Sequence, residues 1–468
     1  MSKQKMDMTQ GPILRQLIVF ALPIMLTTII HQLFNTADTI VVGRWGGDTP
    51  EACEIALSAV GACGAISTLL ITMFMGLSVG AGVLVSHAVG AKQPEKINTI
   101  VHTAITTAAS CGVLIGVIGF IFARPLLLFM DTPETVMDQA VLYMRAYFVG
   151  IPAQMIYNYC ASMLRSTGDS TRPLIFLSVS GVVNVILNLV MVLVFHQGAL
   201  GVGVATSAAQ YVACIMILVY MRRGDSACRF QWKKLRIHFS TLKKMLAIGI
   251  PSGIQQSMFA IGNVVMQSAV NSLNSTVVLS GSSIGSNIGT YPQAIGGGLA
   301  QATQVFVGQN VGAKNTERIR KGVWRSALLI VAITIPLNIV LNLISRPIIE
   351  IFAPDNLAVI EFTQKKLLVN SMFYFLAHLG DMLAGSMFGM GKSTKPMLGS
   401  IVSICGVRIF WIYTVFAAFH YPLVIFSSYG ASWFVNTVVQ GTLFTIEWKR
   451  LKKRTDAEKI KEQEMLPV

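Results

Sequence analysis

The chain has 468 residues, of which 53% are apolar and 12% charged, and its mean hydropathy is +0.62. Soluble domains carry about a quarter charged residues, so this composition excludes an ordinary soluble protein and leaves an integral membrane protein. The net charge of +15 does not make it a nucleic-acid binder, because Lys and Arg gather between apolar segments rather than on one amphipathic face or beside stacking aromatics.

About 20 apolar residues are needed to cross a bilayer as a helix. Such runs lie near residues 14–43, 56–86, 97–122, 138–164, 173–196, 199–221, 244–271, 276–308, 322–345, 362–389, 396–419 and 423–447. They are too long and too continuously apolar for barrel strands, which alternate over about ten residues. The predicted fold class is therefore an all-α polytopic membrane protein with twelve transmembrane helices. The stretch from Asn271 to Gly298, rich in Ser and Gly, has the weakest pattern. The N-terminus has no small-residue cleavage site after its first apolar run, so that run reads as a retained span. The seven Cys show neither CxxC nor Cys/His spacing, which predicts no metal site and no disulfide framework.

Charge predicts orientation. With the N-terminus inside, 29 of the 36 Lys and Arg fall on the inner side, including Lys3, Lys5, Arg15, Lys92, Lys96, Arg165, Arg172, Lys392, Lys395 and the clusters Arg222 to Lys244, Lys314 to Arg325 and Lys449 onward. The outer loops keep Arg44, Arg124, Arg346, Lys365 and Lys366 against nine acids, among them Asp48, Glu51, Asp131, Glu350 and Asp355. This bias places both termini in the cytoplasm, with the chain crossing the inner membrane an even number of times. Within the spans only Asp38, Arg145, Asp381 and Arg408 carry formal charge. Arg145, seven residues after Asp138, reads as snorkelling to the outer surface. His87 and His102 read as interfacial, and the run Lys449–Arg454 as an anchor to anionic lipid.

An internal repeat organises the chain. Gly90-Ala91-Lys92 returns as Gly312-Ala313-Lys314, Arg124-Pro125 as Arg346-Pro347, and Gly168-Asp169-Ser170-Thr171-Arg172-Pro173 as Gly391-Lys392-Ser393-Thr394-Lys395-Pro396. Pro23 returns as Pro251, so the offsets run from 222 to 228 residues. Six spans per copy give both halves the same orientation and a pseudo-twofold axis along the membrane normal. The expected domains are an N-terminal six-helix lobe at 1–221, a basic cytoplasmic linker at 222–243, a C-terminal six-helix lobe at 244–447 and a cytoplasmic tail at 448–468. Two such pseudo-symmetric lobes facing across an axis predict a central cavity, the architecture of a transporter.

Several segments carry a family resemblance: Gln32-Leu33-Phe34-Asn35-Thr36-Ala37-Asp38-Thr39-Ile40-Val41-Val42-Gly43, Ala59-Val60-Gly61, Gly76-Leu77-Ser78-Val79-Gly80, Val85-Ser86-His87-Ala88-Val89-Gly90-Ala91-Lys92 and Arg165-Ser166-Thr167-Gly168-Asp169. In this ordered set the sequence resembles the multidrug and toxic compound extrusion (MATE) family. The resemblance implies antiport: entry of protons, or of sodium, drives export of amphipathic organic cations, with no cofactor and with membrane lipid as surroundings. It also implies a site built from an acid in the first span, an Asn-x-x-x-Asp in the fifth and a Thr in the sixth. Asp38, Asn184 and Thr206 match, while Asn188 stands where the second Asp is expected. One carboxylate makes a weaker sodium site, since hard cations want several charged or carbonyl oxygens; the substitution favours proton exchange at Asp38.

The residues themselves suit this role. A carboxyl inside a span is costly, on the order of 2.5–3.5 kcal/mol at mid-depth, and is ordinarily functional. His31, Asn35 and Asp38 fall on one helix face, and the six-residue separation from Arg44 puts a simple surface ion pair out of register. For Asn184, Asn188 and Thr206 plain interhelical hydrogen bonding, worth ~0.6 kcal/mol on average, competes with an ion-site role. In the second half, Asp381 shares a helical stripe with Asn370, Tyr374 and His378. Two readings compete there: ion coupling, or an ion pair with Arg408 on the next span, which would make Asp381 structural or a gate. His31, Gln32, Gln255, Gln256 and Asn263 are the candidate cavity residues for substrate.

The sequence thus predicts a monomeric antiporter that takes up a proton at Asp38 when open outward, reshaping the first span near Pro23. A flippase or exporter of lipid-linked or glycan substrates is the rival within transport, and would need more cations inside the spans. A membrane enzyme using His31 with Asp38, or His378 with Asp381, is the rival of another class; no nucleophile or metal motif accompanies these pairs.

Overall fold

The structure, a computed structural model, describes residues 6–464 apart from Asp48, 224–226 and Asp355. Of the residues counted above for orientation, Lys3, Lys5, Asp48 and Asp355 lie outside the described ones. Among the described residues there is no strand. Besides a short 3-10 turn at Trp232–Lys234, the described residues form, in order, α1 Ile13–Trp45, α2 Pro50–Gly90, α3 Pro94–Phe129, α4 Glu134–Ser166, α5 Thr171–Val194, α6 Gly198–Arg223, α7 Phe239–Asn271, α8 Thr276–Gly312, α9 Thr316–Leu343, α10 Ser345–Phe352, α11 Leu357–Ser371, α12 Tyr374–Gly389, α13 Thr394–Phe419 and α14 Pro422–Glu464.

Eight of these are single helices long and apolar enough to cross a membrane, and α11 with α12 makes a ninth span, bent by 43°. The remaining three spans are α4, α7 and α8, whose polar residues dilute the hydropathy but which run for 33, 33 and 37 residues. The Ser- and Gly-rich stretch thus belongs to a full-length helix, and the chain has twelve membrane-crossing helices, six from each half. The break between α11 and α12 corrects one expectation. Asn370 lies in the last turn of α11, which ends at Ser371, and Tyr374 opens α12, so the four-residue stripe with Asp381 is not on a continuous helix face.

The repeat is written in the backbone as well as the sequence. Lys92 and Lys314 close equivalent turns in the left-handed region at φ 54° and 55°, and Gly168 and Gly391 do so at φ 87° and 75°. His196 and His420, which no sequence match pairs, adopt the same conformation at φ 52° and 46°. Left-handed residues after a helix end allow its last carbonyls to be capped, as when Gln93 N donates to Ala88 O at 2.9 Å and Asn315 N to Asn310 O at 2.9 Å.

By contacts the chain forms two compact units, the first from Leu26–Ala88 and Gln93–Gly249, the second from Met6–Met25, Val89–Lys92 and Ile250 onward. Small residues set the packing of the first, as expected where lipid supplies no hydrophobic drive. Gly112 and Gly116 lie against Pro152 and Phe148, and Gly150 against Ser207, so α3 and α6 approach α4 closely. Gly80 and Gly249 do the same for α2 and α7; a Cβ on Gly80 would collide with the Met245 carbonyl. The 222–243 linker is not a free loop. Cys228 and Phe230 are buried, Gln231 N donates to His102 Nε2 at 3.0 Å and His238 N to Thr103 Oγ1 at 3.3 Å. His102 is accordingly a buried anchor rather than an interfacial residue.

The second unit is built on Phe306, Val307, Met382, Met387 and Phe444 together with Met8, Leu17 and Phe20 from the start of the chain. The segment before α1 is held by three polar side chains: Gln309 accepts from Met8 N at 2.9 Å, while Asn310 Nδ2 and Arg318 Nε donate to Met8 O at 3.1 Å each. α1 therefore changes unit at Met25/Leu26, just after Pro23. The tail also differs from a lipid anchor. α14 continues to Glu464, and Lys452 pairs with Glu317 at 2.9 Å while Trp448 Nε1 donates to Thr316 O at 3.0 Å.

Candidate functional site

Asp38 sits more than halfway along α1, which carries no other formal charge between Arg15 and Arg44. In the first unit it lines a cavity of about 310 Å³ together with His31, Asn35, Tyr143, Asn184 and Thr206. Its carboxylate Oδ1 accepts a hydrogen bond from Asn188 Nδ2, across 150 positions of sequence. Asn188 Nδ2 also lies 3.5 Å from Asn184 Oδ1, and Asn184 Nδ2 lies 3.4 Å from Thr206 Oγ1. A single polar chain therefore runs from α1 through α5 to α6. Asn184 and Asn188 are one helical turn apart and share a face; Asn184 lines the cavity, while Asn188, fully buried, bonds to Asp38 from behind it. His31 and Asn35 extend it along α1, with Asn35 Nδ2 3.5 Å from His31 Nδ1.

Two features fix what this site can do. Asn188 turns its N–H, not its oxygen, toward Asp38, and its own Oδ1 is buried without a hydrogen-bond partner. No Lys, Arg or His forms an ion pair with Asp38 among the described residues. A lone carboxylate facing an amide can be charged, accepting N–H, or protonated, donating O–H to an amide oxygen. Phe34, Leu57, Val60, Ile71 and Leu177 line the cavity beside Tyr143 and Tyr147, and Ser67, Thr68 and Ser180 add hydroxyl groups to the wall. Gly181 is required where Phe34 enters, since a Cβ there would collide with the ring. Gln154 and Gln210 also line the cavity and were not singled out from sequence, although each is a polar residue within an apolar span. Among the described residues no cluster of three or more His, Cys, Asp or Glu could hold a metal ion.

The second-unit candidates are arranged differently. Arg408 is buried, and its Nε lies 3.3 Å from Ser432 Oγ, its Nη1 3.4 Å from Asn263 Oδ1 and its guanidinium 4.2 Å from the Tyr429 ring centre. Among the described residues no ion pair joins it to Asp381, so the pairing considered above is not formed; a stacked aromatic and two neutral oxygens take its place. Tyr374 and His378 stack with ring centres 6.3 Å apart, and His378 Nε2 is buried without a partner. Gln255 donates to Ser400 Oγ at 3.0 Å. Gln256 is half-buried and Asn263 exposed, both on α7, while Gln32 is half-buried on α1 in the first unit. Lys366, counted above with the outer loops, is only 2% exposed within α11. Its ammonium donates to the Ser282 carbonyl and hydroxyl and to Ser286 Oγ at 2.8 Å, and lies 4.8 Å from the Phe426 ring centre. The adjacent Lys365 hid it, since two lysines in a row read as a loop. Arg145 is half-buried with its guanidinium 5.4 Å from the Phe120 ring centre.

The repeated twelve-helix fold has counterparts among known proteins. The MatE family model matches residues 23–190 and 251–414, once in each half. The chain belongs to the MatE family. It is a multi-pass membrane transporter rather than an enzyme. Among the relatives of this MatE chain is a probable multidrug resistance protein, YoeA of Bacillus subtilis (strain 168), 26% identical over 451 residues that cover 93% of this chain and 94% of YoeA. A FAD transporter of Shewanella oneidensis is 21% identical over 412 residues, 86% of this chain and 87% of its own length. The outward-facing structure of a multidrug resistance MATE family transporter superposes with a TM-score of 0.89 at 18% identity, covering 97% of this chain and all of that one. That likeness concerns the fold.

Proposed function

We propose that this chain is a multidrug efflux antiporter of the inner membrane that exports amphipathic organic cations in exchange for protons taken up at Asp38. The observation that carries the reading is the Asp38 carboxylate in a cavity walled by aromatic, aliphatic and polar side chains, bonded to Asn188 and without an ion pair to any cationic side chain among the described residues. A protonated amine or quaternary ammonium would meet there one negative charge and two tyrosine rings, the combination that attracts organic cations. Proton binding and substrate binding then compete for one carboxylate, which is sufficient for exchange. Sodium is disfavoured because the Asn188 amide presents N–H where a cation would need oxygen. Names borne by the relatives agree with drug export.

In this mechanism a proton arriving from outside neutralises Asp38, the cation is released, and the Asn188 amide turns so that its unused oxygen accepts the new O–H. α1 transmits the change past Pro23, whose ring removes one backbone hydrogen bond and makes that turn of helix easier to bend. The test is transport by proteoliposomes with a fluorescent organic cation. An inward proton gradient should drive export, a sodium gradient should not, and Asp38→Asn should abolish substrate-dependent proton movement. Coupled transport that survives in Asp38→Asn would overturn the assignment.

A second reading has its own support. Lys366 and Arg408 are two buried cations without an acidic ion-pair partner among the described residues, and one relative is a FAD transporter. Both suit export of an anionic compound, including the lipid-linked or glycan phosphates considered from sequence. Competition of dye export by a flavin nucleotide, lost in Arg408→Gln, would favour it over cation export.

A further inference from the structure

Within the first unit, the linker that follows α6 is hydrogen-bonded to α3 at two consecutive side chains, His102 and Thr103. The His102 ring is 2% exposed and uses both of its nitrogens. Nδ1 lies 2.7 Å from the Asn98 carbonyl oxygen, and Nε2 lies 3.0 Å from the Gln231 backbone nitrogen. A carbonyl only accepts and a backbone N–H only donates. The ring proton therefore sits on Nδ1, and Nε2 offers its lone pair to Gln231. A neutral imidazole supplies one donor and one acceptor and so meets both needs. An imidazolium has two donors and would set N–H against N–H at Gln231.

The rest of the contact follows the same logic. Thr103 Oγ1 gives its proton to the Thr99 carbonyl at 2.8 Å and accepts from His238 N at 3.3 Å. The His238 ring in turn accepts at Nε2 from Arg236 Nε, 2.9 Å away, so it too is engaged through an unprotonated nitrogen. Cys228 and Phe230 are buried on either side of Arg229, and Trp232 packs edge-on against Phe230 with ring centres 5.2 Å apart. These apolar contacts hold the segment close, and the imidazole decides whether its backbone is bonded.

An imidazolium at His102 would find no adjacent carboxylate in exchange for the lost bond. Glu95 and Lys96 open α3, Arg165 lies in the last turn of α4, and the stretch 227–238 brings Arg229, Lys233, Lys234, Arg236 and His238. Glu95, the one carboxylate among these, stands seven residues before His102, roughly 10 Å along the helix. The buried Cys160 and Cys228 thiols are neutral over the range in which imidazoles titrate. Protons therefore bind the undocked form in preference to the docked one, and acid shifts the equilibrium toward release.

We propose that the 227–238 stretch is a proton-sensitive latch, docked on α3 while His102 is neutral and released at Gln231 when His102 is protonated. The latch lies outside the transport cavity, in the segment that joins the two halves of the repeat, and it operates whatever ion the cavity exchanges.

The test is hydrogen exchange with mass spectrometry on the full chain in micelles, from about pH 7.5 to about pH 5, the range that brackets imidazole titration. Rates are corrected for the intrinsic pH dependence of amide exchange. In the wild type the 227–238 peptide should lose protection about five- to tenfold in acid, as loss of one hydrogen bond gives, while peptides from the middle of α4 keep theirs. This pH difference should vanish in His102→Gln, whose side chain has a donor and an acceptor but does not titrate, and persist in His238→Gln. Four results would each overturn the proposal: a wild-type linker equally protected at both pH values, a difference that survives in His102→Gln, one that disappears in His238→Gln, or a parallel loss in α4.

Discussion

At the scale of single residues, the proposed proton coupling turns on Asn188, which bonds to Asp38. An Asp in its place would set two carboxylates against each other beside Asn184 and Thr206, the oxygen-rich arrangement that sodium prefers. Asn188→Asp should therefore create sodium binding. At sodium tenfold above the dissociation constant, the added stability is about 1.4 kcal/mol. That corresponds to a rise of about 1–2 °C in the thermal midpoint over potassium in a chain this long. The wild type should show no difference between the two salts, and a wild-type midpoint that rises with sodium would speak for a sodium site already present. Asp38 itself was legible in the sequence because a charge in an apolar run is conspicuous on any helix. Asn188 was named beside it only through the family resemblance; the hydrogen bond between the two depends on how α5 is rotated toward α1, and Gly181 beneath the Phe34 ring fixes that rotation only in the folded bundle.

At the scale of elements, the sequence located the spans closely, but three elements behave in ways that hydropathy does not report. α11 and α12 share one apolar run yet break between Ser371 and Tyr374, and the 222–243 segment reads as a solvated basic linker yet is packed through Cys228 and Phe230. The end of α14 is the third. Its Lys and Arg were legible as an electrostatic anchor, and part of that charge is spent within the protein: Lys452 on Glu317, Arg450 on Glu447 at 2.9 Å, and Lys314 within 3.7 Å of Glu458. Such exposed pairs are individually weak. A double-mutant cycle on Glu317 and Lys452 should accordingly give only a small favourable coupling that high salt removes. Hydrogen exchange of the 449–461 backbone should quicken in Lys452→Glu and slow again when Glu317→Lys is added. Unchanged exchange in Lys452→Glu would mean the tail is held by Trp448 and its apolar neighbours alone.

At the scale of the whole molecule, an even number of crossings with the cation bias predicts that both chain ends lie on the cytoplasmic side. Reporter tags at the two ends should both be inaccessible to an impermeant reagent in intact cells. A cysteine placed at Glu350, which is exposed and which the same orientation puts outside, should be labelled; labelling of either terminus instead would refute the orientation. The membrane class, the number of spans, the repeat and the family were determined by the sequence alone, because each depends on local composition or on residues near in sequence: apolar length, charge between runs, and turn motifs repeated at a near-constant offset. Tertiary structure alone decided which polar groups meet. It joined Asp38 to Asn188, left Asp381 without Arg408, drew Lys366 out of the apparent loop onto Ser282 and Ser286, and carried the start of α1 into the second unit. The physical reason is that a buried polar side chain takes its partner from whichever helix packs against it. That choice is set by glycine contacts, helix rotation and breaks that bring together residues 80 to 300 positions apart, and local periodicity contains no record of it.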